Sequence, residues 1–123
     1  MFDHISISIQ DLDKSIAFYD AVFAPLGYQF AFRHPRGAAY GPNGRPLFWL
    51  DHRPTGQPAG GGHFAFAAPS RTAVDSFYQA ALGQGGKDNG PPGLRSHYHP
   101  NYYAAFVLDP DGHRLEAVYH SPA

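Results

Sequence analysis

The chain has 123 residues, nine Lys and Arg against ten Asp and Glu, a formal charge of −1, and no cysteine. A chain of this length can form one domain with a hydrophobic core, and its 43% hydrophobic and 15% aromatic content indicates a folded protein. The balanced charge argues against a nucleic-acid partner or an anionic membrane surface, because both select basic patches. Without cysteine there are no disulfides and no thiolate ligands, so any metal would need His, Asp or Glu.

The N-terminal residues do not have the basic start and apolar run of a signal peptide, and no stretch of the sequence approaches the length of a membrane span. We therefore expect a single domain over residues 1–123, located in the cytoplasm, with no membrane partner.

The first half of the chain predicts a βαβββ order. Residues 4–9 alternate polar residues with Ile, which is typical of a half-buried strand. Asp11 is placed to cap a helix that runs to about Phe23, with apolar residues at three- and four-residue spacing. Three short strands are expected over 28–33, 38–40 and 47–51, between turns rich in Gly and Pro.

The second half repeats this order. A shift of 59 residues places His4 on His63 and the Phe18-Tyr19 pair on Phe77-Tyr78. A shift of 68 residues aligns the turn that starts at Gly41 with the one that starts at Asp109, and the nine-residue difference indicates an insertion within 83–103. The sequence therefore predicts an α+β fold of two tandem βαβββ modules, at about 1–56 and 60–121.

Three titratable residues are expected to face the same side of the two sheets. His4 and His63 open equivalent strands and point away from the apolar positions that follow them, and Glu116 alternates with Leu115 and Ala117 on the last strand. Two imidazoles and one carboxylate suit Fe(II), Mn(II), Zn(II) or Ni(II) and leave positions open for substrate. The alternative for each residue alone is a surface or hydrogen-bonding histidine and a solvated glutamate.

These motifs resemble the vicinal oxygen chelate superfamily, which includes glyoxalase I, bleomycin and fosfomycin resistance proteins and extradiol dioxygenases. The resemblance rests on DHISI at 3–7, DLDKS at 11–15, GHFAF at 62–66 and DPDGHRLE at 109–116. It implies paired modules that form a curved mixed-sheet cup around one divalent metal, with His4, His63 and Glu116 as ligands. It further implies a homodimer, with modules paired within or between chains, and lyase, isomerase or dioxygenase chemistry on a small molecule that chelates the metal through adjacent oxygens.

One position departs from the glyoxalase I pattern, which has a glutamate as fourth ligand. The 68-residue shift places Phe48 opposite Glu116, and neighbouring Trp49 is no ligand either. We therefore expect three protein ligands and an activity other than that of glyoxalase I, with Phe48 and Trp49 lining the substrate cup. The alternative is a metal-free protein of the bleomycin-resistance type that sequesters a small molecule in the same cup.

The segment 95–103 is dense in polar and aromatic residues and leads into a strand that would reach the cup. Arg95 is a candidate to hold an anionic substrate, and His99 and Tyr103 are candidate acid–base or oxygen-binding groups beside the catalytic ligand Glu116. The alternative is an exposed loop histidine and a tyrosine that only packs. Surface or turn positions are expected for His34, His52, His113 and His120.

Overall fold

The computed structural model describes residues 1–55 and 62–123. The first unit consists of β1 (Ile5–Ile9), α1 (Leu12–Phe23), a 3₁₀ turn (Ala24–Leu26), β2 (Tyr28–His34), β3 (Gly37–Pro42) and β4 (Phe48–His52). Its sheet has the order β1-β4-β3-β2, in which β1 and β4 are parallel and the other pairs are antiparallel. The predicted βαβββ order is present in this half of the chain.

The second unit consists of β5 (His63–Ala67), α2 (Arg71–Gly83), β6 (Lys87–Asp88), β7 (Gly93–Leu94), β8 (Tyr103–Leu108) and β9 (Arg114–Tyr119). Its sheet has the order β5-β9-β8-β6, and β7 also pairs with β8. Thus β6 and β7 form one interrupted strand along β8, since Pro91 and Pro92 between them cannot donate to the ladder. The predicted α+β fold of two tandem units is confirmed, and the described part of the chain contains no closed barrel.

Each helix is preceded by a residue of a type that is favoured as an N-cap. The carboxylate of Asp11 accepts from the backbone N–H of Lys14 at 3.1 Å, and the hydroxyl of Ser70 accepts from that of Ala73 at 3.0 Å. The predicted end of the first helix at Phe23 is also observed. Neither helix of the described residues is long and apolar enough to cross a membrane.

Each sheet has one face against a helix, here called the helix face, and one open face. The helix faces of both sheets contribute to a single core, in which the ring of Phe66 on β5 lies 5.0 Å from that of Phe23 on α1 and 5.4 Å from that of Phe48 on β4. Because the apolar helix faces share this core, the two open faces lie outside it.

Polar contacts from the turn before β9 also join the two units. The Tyr19 hydroxyl on α1 donates to Oδ2 of Asp109 at 2.5 Å, and Nε2 of His113 donates to the carbonyl of Ser8 at 2.7 Å. Burial raises the pKa of both Tyr19 and Asp109. His113 lies in a turn as predicted, but it is buried, because it links the turn to β1.

Candidate metal centre

Two of the three predicted metal ligands meet on the open face of the second unit. Nε2 of His63 lies 2.8 Å from Oε1 of Glu116, and the glutamate side chain is only 4% exposed, against 41% for the histidine. In the parallel pair of β5 and β9, Ala65 lies opposite Glu116, and His63 shares its face two residues earlier. The strand register and the small alanine side chain therefore leave room for the imidazole to reach the carboxylate.

The second oxygen of Glu116 has a partner that the sequence analysis missed. The hydroxyl of Tyr102 donates to Oε2, and burial together with this hydrogen bond raises the pKa of the phenol. Tyr102 comes directly before β8, one residue ahead of the predicted Tyr103. Side chains alternate between the two faces of a strand, and Ala105 and Val107 are buried on the helix face. Counting back from them would have placed Tyr103 on the helix face and Tyr102 on the open face.

Tyr103 lies on the helix face and does not approach Glu116. Its hydroxyl donates to Oδ1 of Asp75 on α2 at 2.6 Å, and the guanidinium of Arg71 lies over its ring at 5.1 Å. The placement predicted for Tyr103 beside the site is therefore corrected to Tyr102. The reason is geometric, since a shift of one residue along a strand exchanges the two faces.

The third predicted ligand, His4, lies at the equivalent place in the first unit, apart from the other two. Its Nδ1 is 2.7 Å from Oδ1 of Asp3, and its ring meets the edge of the Trp49 ring at 6.2 Å. Among residues 1–55 and 62–123, no group of three His, Asp or Glu side chains is arranged to hold a metal. Within one chain, the structure thus brings His63 and Glu116 together but not His4.

The residue equivalent to Glu116 in the first unit is Trp49, which corrects the prediction of Phe48. Ser6 lies opposite Trp49 in the same way that Ala65 lies opposite Glu116. The fourth ligand position of glyoxalase I is therefore occupied by an indole, on the open face.

Phe48 is on the helix face, 6% exposed, and does not line the predicted cup. The cause lies in the turns: Trp49 lies five positions after Gly44, whereas Glu116 lies four positions after Gly112. Both glycines have positive φ and mark the same point of the turn. An alignment on the turns alone is thus one residue out of register in the following strand.

Arg95 lies beside the open face of the second unit. Its guanidinium donates to the carbonyls of Gly93 at 2.9 Å and Pro91 at 2.6 Å, and it stacks on the ring of Phe106 at 5.2 Å. That ring in turn lies 6.1 Å from the ring of His63. The predicted cation for an anionic substrate is therefore linked to His63 through the ring of Phe106.

His99 does not contact Glu116 itself. Its Nε2 lies 2.7 Å from Nδ1 of His120, and its ring meets that of Tyr102 edge to face at 5.4 Å. The sequence predicted His99 beside the carboxylate, but the side chain of Tyr102 lies between them.

Residues 1–117 match the Glyoxalase/Bleomycin resistance protein/Dioxygenase superfamily. The chain belongs to this superfamily. It is 32% identical to a glyoxalase/bleomycin resistance protein from Albidiferax ferrireducens, with 99% of each chain covered and a TM-score of 0.82. No match was found among curated proteins.

More distant members share the fold. A glyoxalase I variant from Zea mays is 21% identical, covering 95% of this chain and 45% of that one, with a TM-score of 0.72. The fosfomycin resistance protein FosX from Listeria monocytogenes is 20% identical, covering 94% and 88%, with a TM-score of 0.69. The family match over residues 1–117 confirms the predicted membership of the superfamily.

The donor set of this superfamily domain fits part of a divalent-metal site. An imidazole nitrogen and a carboxylate oxygen on one face are ligand types that Fe(II), Mn(II), Zn(II) and Ni(II) accept. Glu116 is buried, and a buried carboxylate requires a cation or hydrogen-bond donors around it. His63 and Glu116 are therefore the residues of this chain that would hold the ion.

Proposed function

We propose that this superfamily domain is a divalent-metal-dependent enzyme, with His63 and Glu116 as ligands and a third ligand from a second copy of the chain. The observation that carries the proposal is the 2.8 Å contact between the two side chains on an open face, with the carboxylate buried. A bound ion would act as a Lewis acid toward a small molecule that chelates it through adjacent oxygens. The reaction class is lyase, isomerase or dioxygenase.

A homodimer would supply the missing histidine. In the described part of the chain, β1 pairs only with β4 and β5 only with β9, so each is the end strand of its sheet. Such an end strand is a template for pairing with another chain. Pairing β1 of one chain with β5 of the other would bring His4 of the partner subunit beside His63 and Glu116, and two-fold symmetry would create two such sites.

The other residues of the open faces have roles that suit a small anionic substrate. The guanidinium of Arg95, held over Phe106 beside His63, would bind a carboxylate or a similar anionic group. Trp49 of the partner subunit would line the cup where glyoxalase I has its fourth ligand, so it provides no carboxylate for proton transfer. We therefore propose an activity other than that of glyoxalase I.

Metal content after reloading with Mn(II) or Zn(II) tests both the site and its assembly. Wild-type protein without a His tag should bind the ion, whereas His4→Ala, His63→Ala and Glu116→Ala variants should each lose it. Mixing unfolded His4→Ala and Glu116→Ala chains and refolding them should restore about a quarter of the wild-type metal content, because random pairing makes half the dimers mixed and each mixed dimer has one intact site.

A mixture of His63→Ala and Glu116→Ala chains is the matched control. Both changes remove a ligand that the same chain contributes, so every site in a mixed dimer lacks either His63 or Glu116. Restoration in neither mixture, with a monomer by analytical ultracentrifugation at micromolar concentrations, would contradict the shared site. Equal and negligible metal in wild type and all variants would end the metal hypothesis and favour the metal-free binding protein. The cytoplasmic location and the domain boundaries stay predictions.

A further inference from the structure

The loop 95–102 closes on itself and holds the backbone of Tyr102 at the entrance to β8. The Arg95 N–H donates to the Tyr102 carbonyl at 2.7 Å, and the Tyr102 N–H donates to the His99 carbonyl at 3.2 Å. These two hydrogen bonds fix the backbone position from which the Tyr102 side chain extends.

Three rings then surround the side chain of Tyr102. Its ring centroid lies 4.8 Å from that of Tyr98, 5.4 Å from that of His99 and 5.0 Å from that of His120, each at a steep angle of 64 to 87°. Edge-to-face contacts of this kind are favourable between aromatic rings. The hydroxyl that donates to Glu116 is therefore carried by a ring that its neighbours restrict to one orientation.

The hydrogen bonds of the loop select one tautomer for each histidine of the pair. The backbone N–H of Asn101 donates to Nδ1 of His99 at 3.1 Å, so this nitrogen carries no proton. The neutral ring then has its proton on Nε2, which donates to Nδ1 of His120 at 2.7 Å. His120, directly after β9, is in turn left with its proton on Nε2.

This pattern also excludes the pair as a metal site in this arrangement. A metal on Nε2 of His99 would require the ring proton on Nδ1, where the N–H of Asn101 already donates. The pair instead links the loop to the end of β9, the strand that carries Glu116.

We infer that Tyr102 is a positioning residue for the candidate ligand Glu116, and that the His99–His120 hydrogen bond holds Tyr102 in place. The hydroxyl donates to Oε2, while Oε1 lies beside His63, so the two partners together set the plane of the carboxylate. Hydrogen-bond partners outside the coordination shell commonly orient metal ligands in this way. The carboxylate of Glu116 would thus be oriented before the ion binds. This inference rests on the proposed function for its metal but not for its hydrogen bonds.

Affinity for Zn(II) by competition with a chromophoric chelator gives the first test. Tyr102→Phe keeps the ring and removes the hydroxyl, and should weaken binding by about 10- to 100-fold. His120→Phe keeps a ring but removes the acceptor for His99, and should weaken binding less. The double variant should be no weaker than Tyr102→Phe alone, because the histidine acts through the tyrosine.

Tyr103→Phe is the matched control, since it removes the same group one residue away on the opposite face, where the hydroxyl bonds Asp75. It should leave the Zn(II) affinity unchanged. Wild-type affinity in Tyr102→Phe, or additive losses in the double variant, would overturn the inference.

A second readout uses metal-free protein and needs no ion. Long-range ¹H–¹⁵N NMR should identify His99 as the Nε2–H tautomer, and the Tyr102 hydroxyl proton should be protected from exchange in wild type and lose that protection in His120→Phe. Failure of wild type to bind Zn(II) would refute the proposed function alone, while a hydroxyl proton that stays protected in His120→Phe, or the opposite tautomer, would refute the positioning role.

Discussion

Phe48 and Trp49 are neighbours on β4 that point to opposite faces, so truncating each of them should have different consequences. The ring of Phe48 lies 5.4 Å from each of the rings of Tyr19, Phe23 and Phe66. These partners come from a helix and a strand of different units, so no single movement can close the space that Phe48→Ala would leave. Trp49 lies half-buried on the open face.

The expected loss for Phe48→Ala follows from its burial. Truncating a buried Phe to Ala costs about 3–5 kcal/mol in free energy of unfolding, and a favourable aromatic pair contributes about 0.5–1.5 kcal/mol of such a loss. With these three rings at 5.4 Å, a fourth, that of Phe64, at 6.1 Å, and 6% exposure, we expect about 4 kcal/mol for Phe48→Ala. For Trp49→Ala we expect about 2 kcal/mol or less, since that side chain is already partly exposed to solvent.

Urea unfolding of metal-free wild type and both variants at one protein concentration measures the losses without a contribution from bound metal or from differences in concentration. Far-UV circular dichroism is the appropriate signal, because Trp49 is the single tryptophan of the chain and fluorescence would be lost with it. A loss below about 1 kcal/mol for Phe48→Ala, with a larger one for Trp49→Ala, would refute the assigned faces of β4.

Two further predictions concern the contact between Tyr19 and Asp109 that joins the units. Tyr19→Phe leaves Oδ2 of a buried carboxylate without its donor and should cost about 1.5–3 kcal/mol in urea unfolding, where a change below about 0.5 kcal/mol would contradict it. Burial raises the pKa of Asp109, so the folded state binds more protons between the ordinary and the raised value. Relative to an Asp109→Asn variant, wild type should therefore gain stability as the pH falls through that window, and a pH-independent difference would contradict this sign.

The sequence alone predicted both helices and placed His63 and Glu116 on one face, together with His4, because helices and faces depend on local patterns. The cap at Asp11 and the apolar spacing after it define α1, and alternation along β5 and β9 is enough to place both side chains on one face. Parallel pairing of the first and last strands of a unit then brings them into contact. Neither result needs knowledge of how the two units pack.

The error at Phe48 comes from a count that starts in a turn, whereas the prediction for Tyr103 rests on its place in the polar and aromatic segment 95–103, without a strand register. A single additional residue between a turn and its strand reverses the face of every residue that follows. The turn after Gly44 has that residue, and the loop before β8 has no repeat partner in the first unit to count from. Periodicity within the strand, anchored on its buried positions, is the better guide to such faces.

The position of His4 could not be read from the sequence, because it depends on contacts between residues 90 and 105 positions apart. The bond from Tyr19 to Asp109 and that from His113 to Ser8 fasten the helix faces of the two units against each other. Each chain therefore uses its apolar faces for its own core and turns both open faces, with His4 on one and Glu116 on the other, away from that core. For the same reason, the three-ligand site that we propose needs two chains. Weakening the Tyr19–Asp109 contact should lower the free energy of unfolding, but it should not bring His4 close to Glu116 of the same chain.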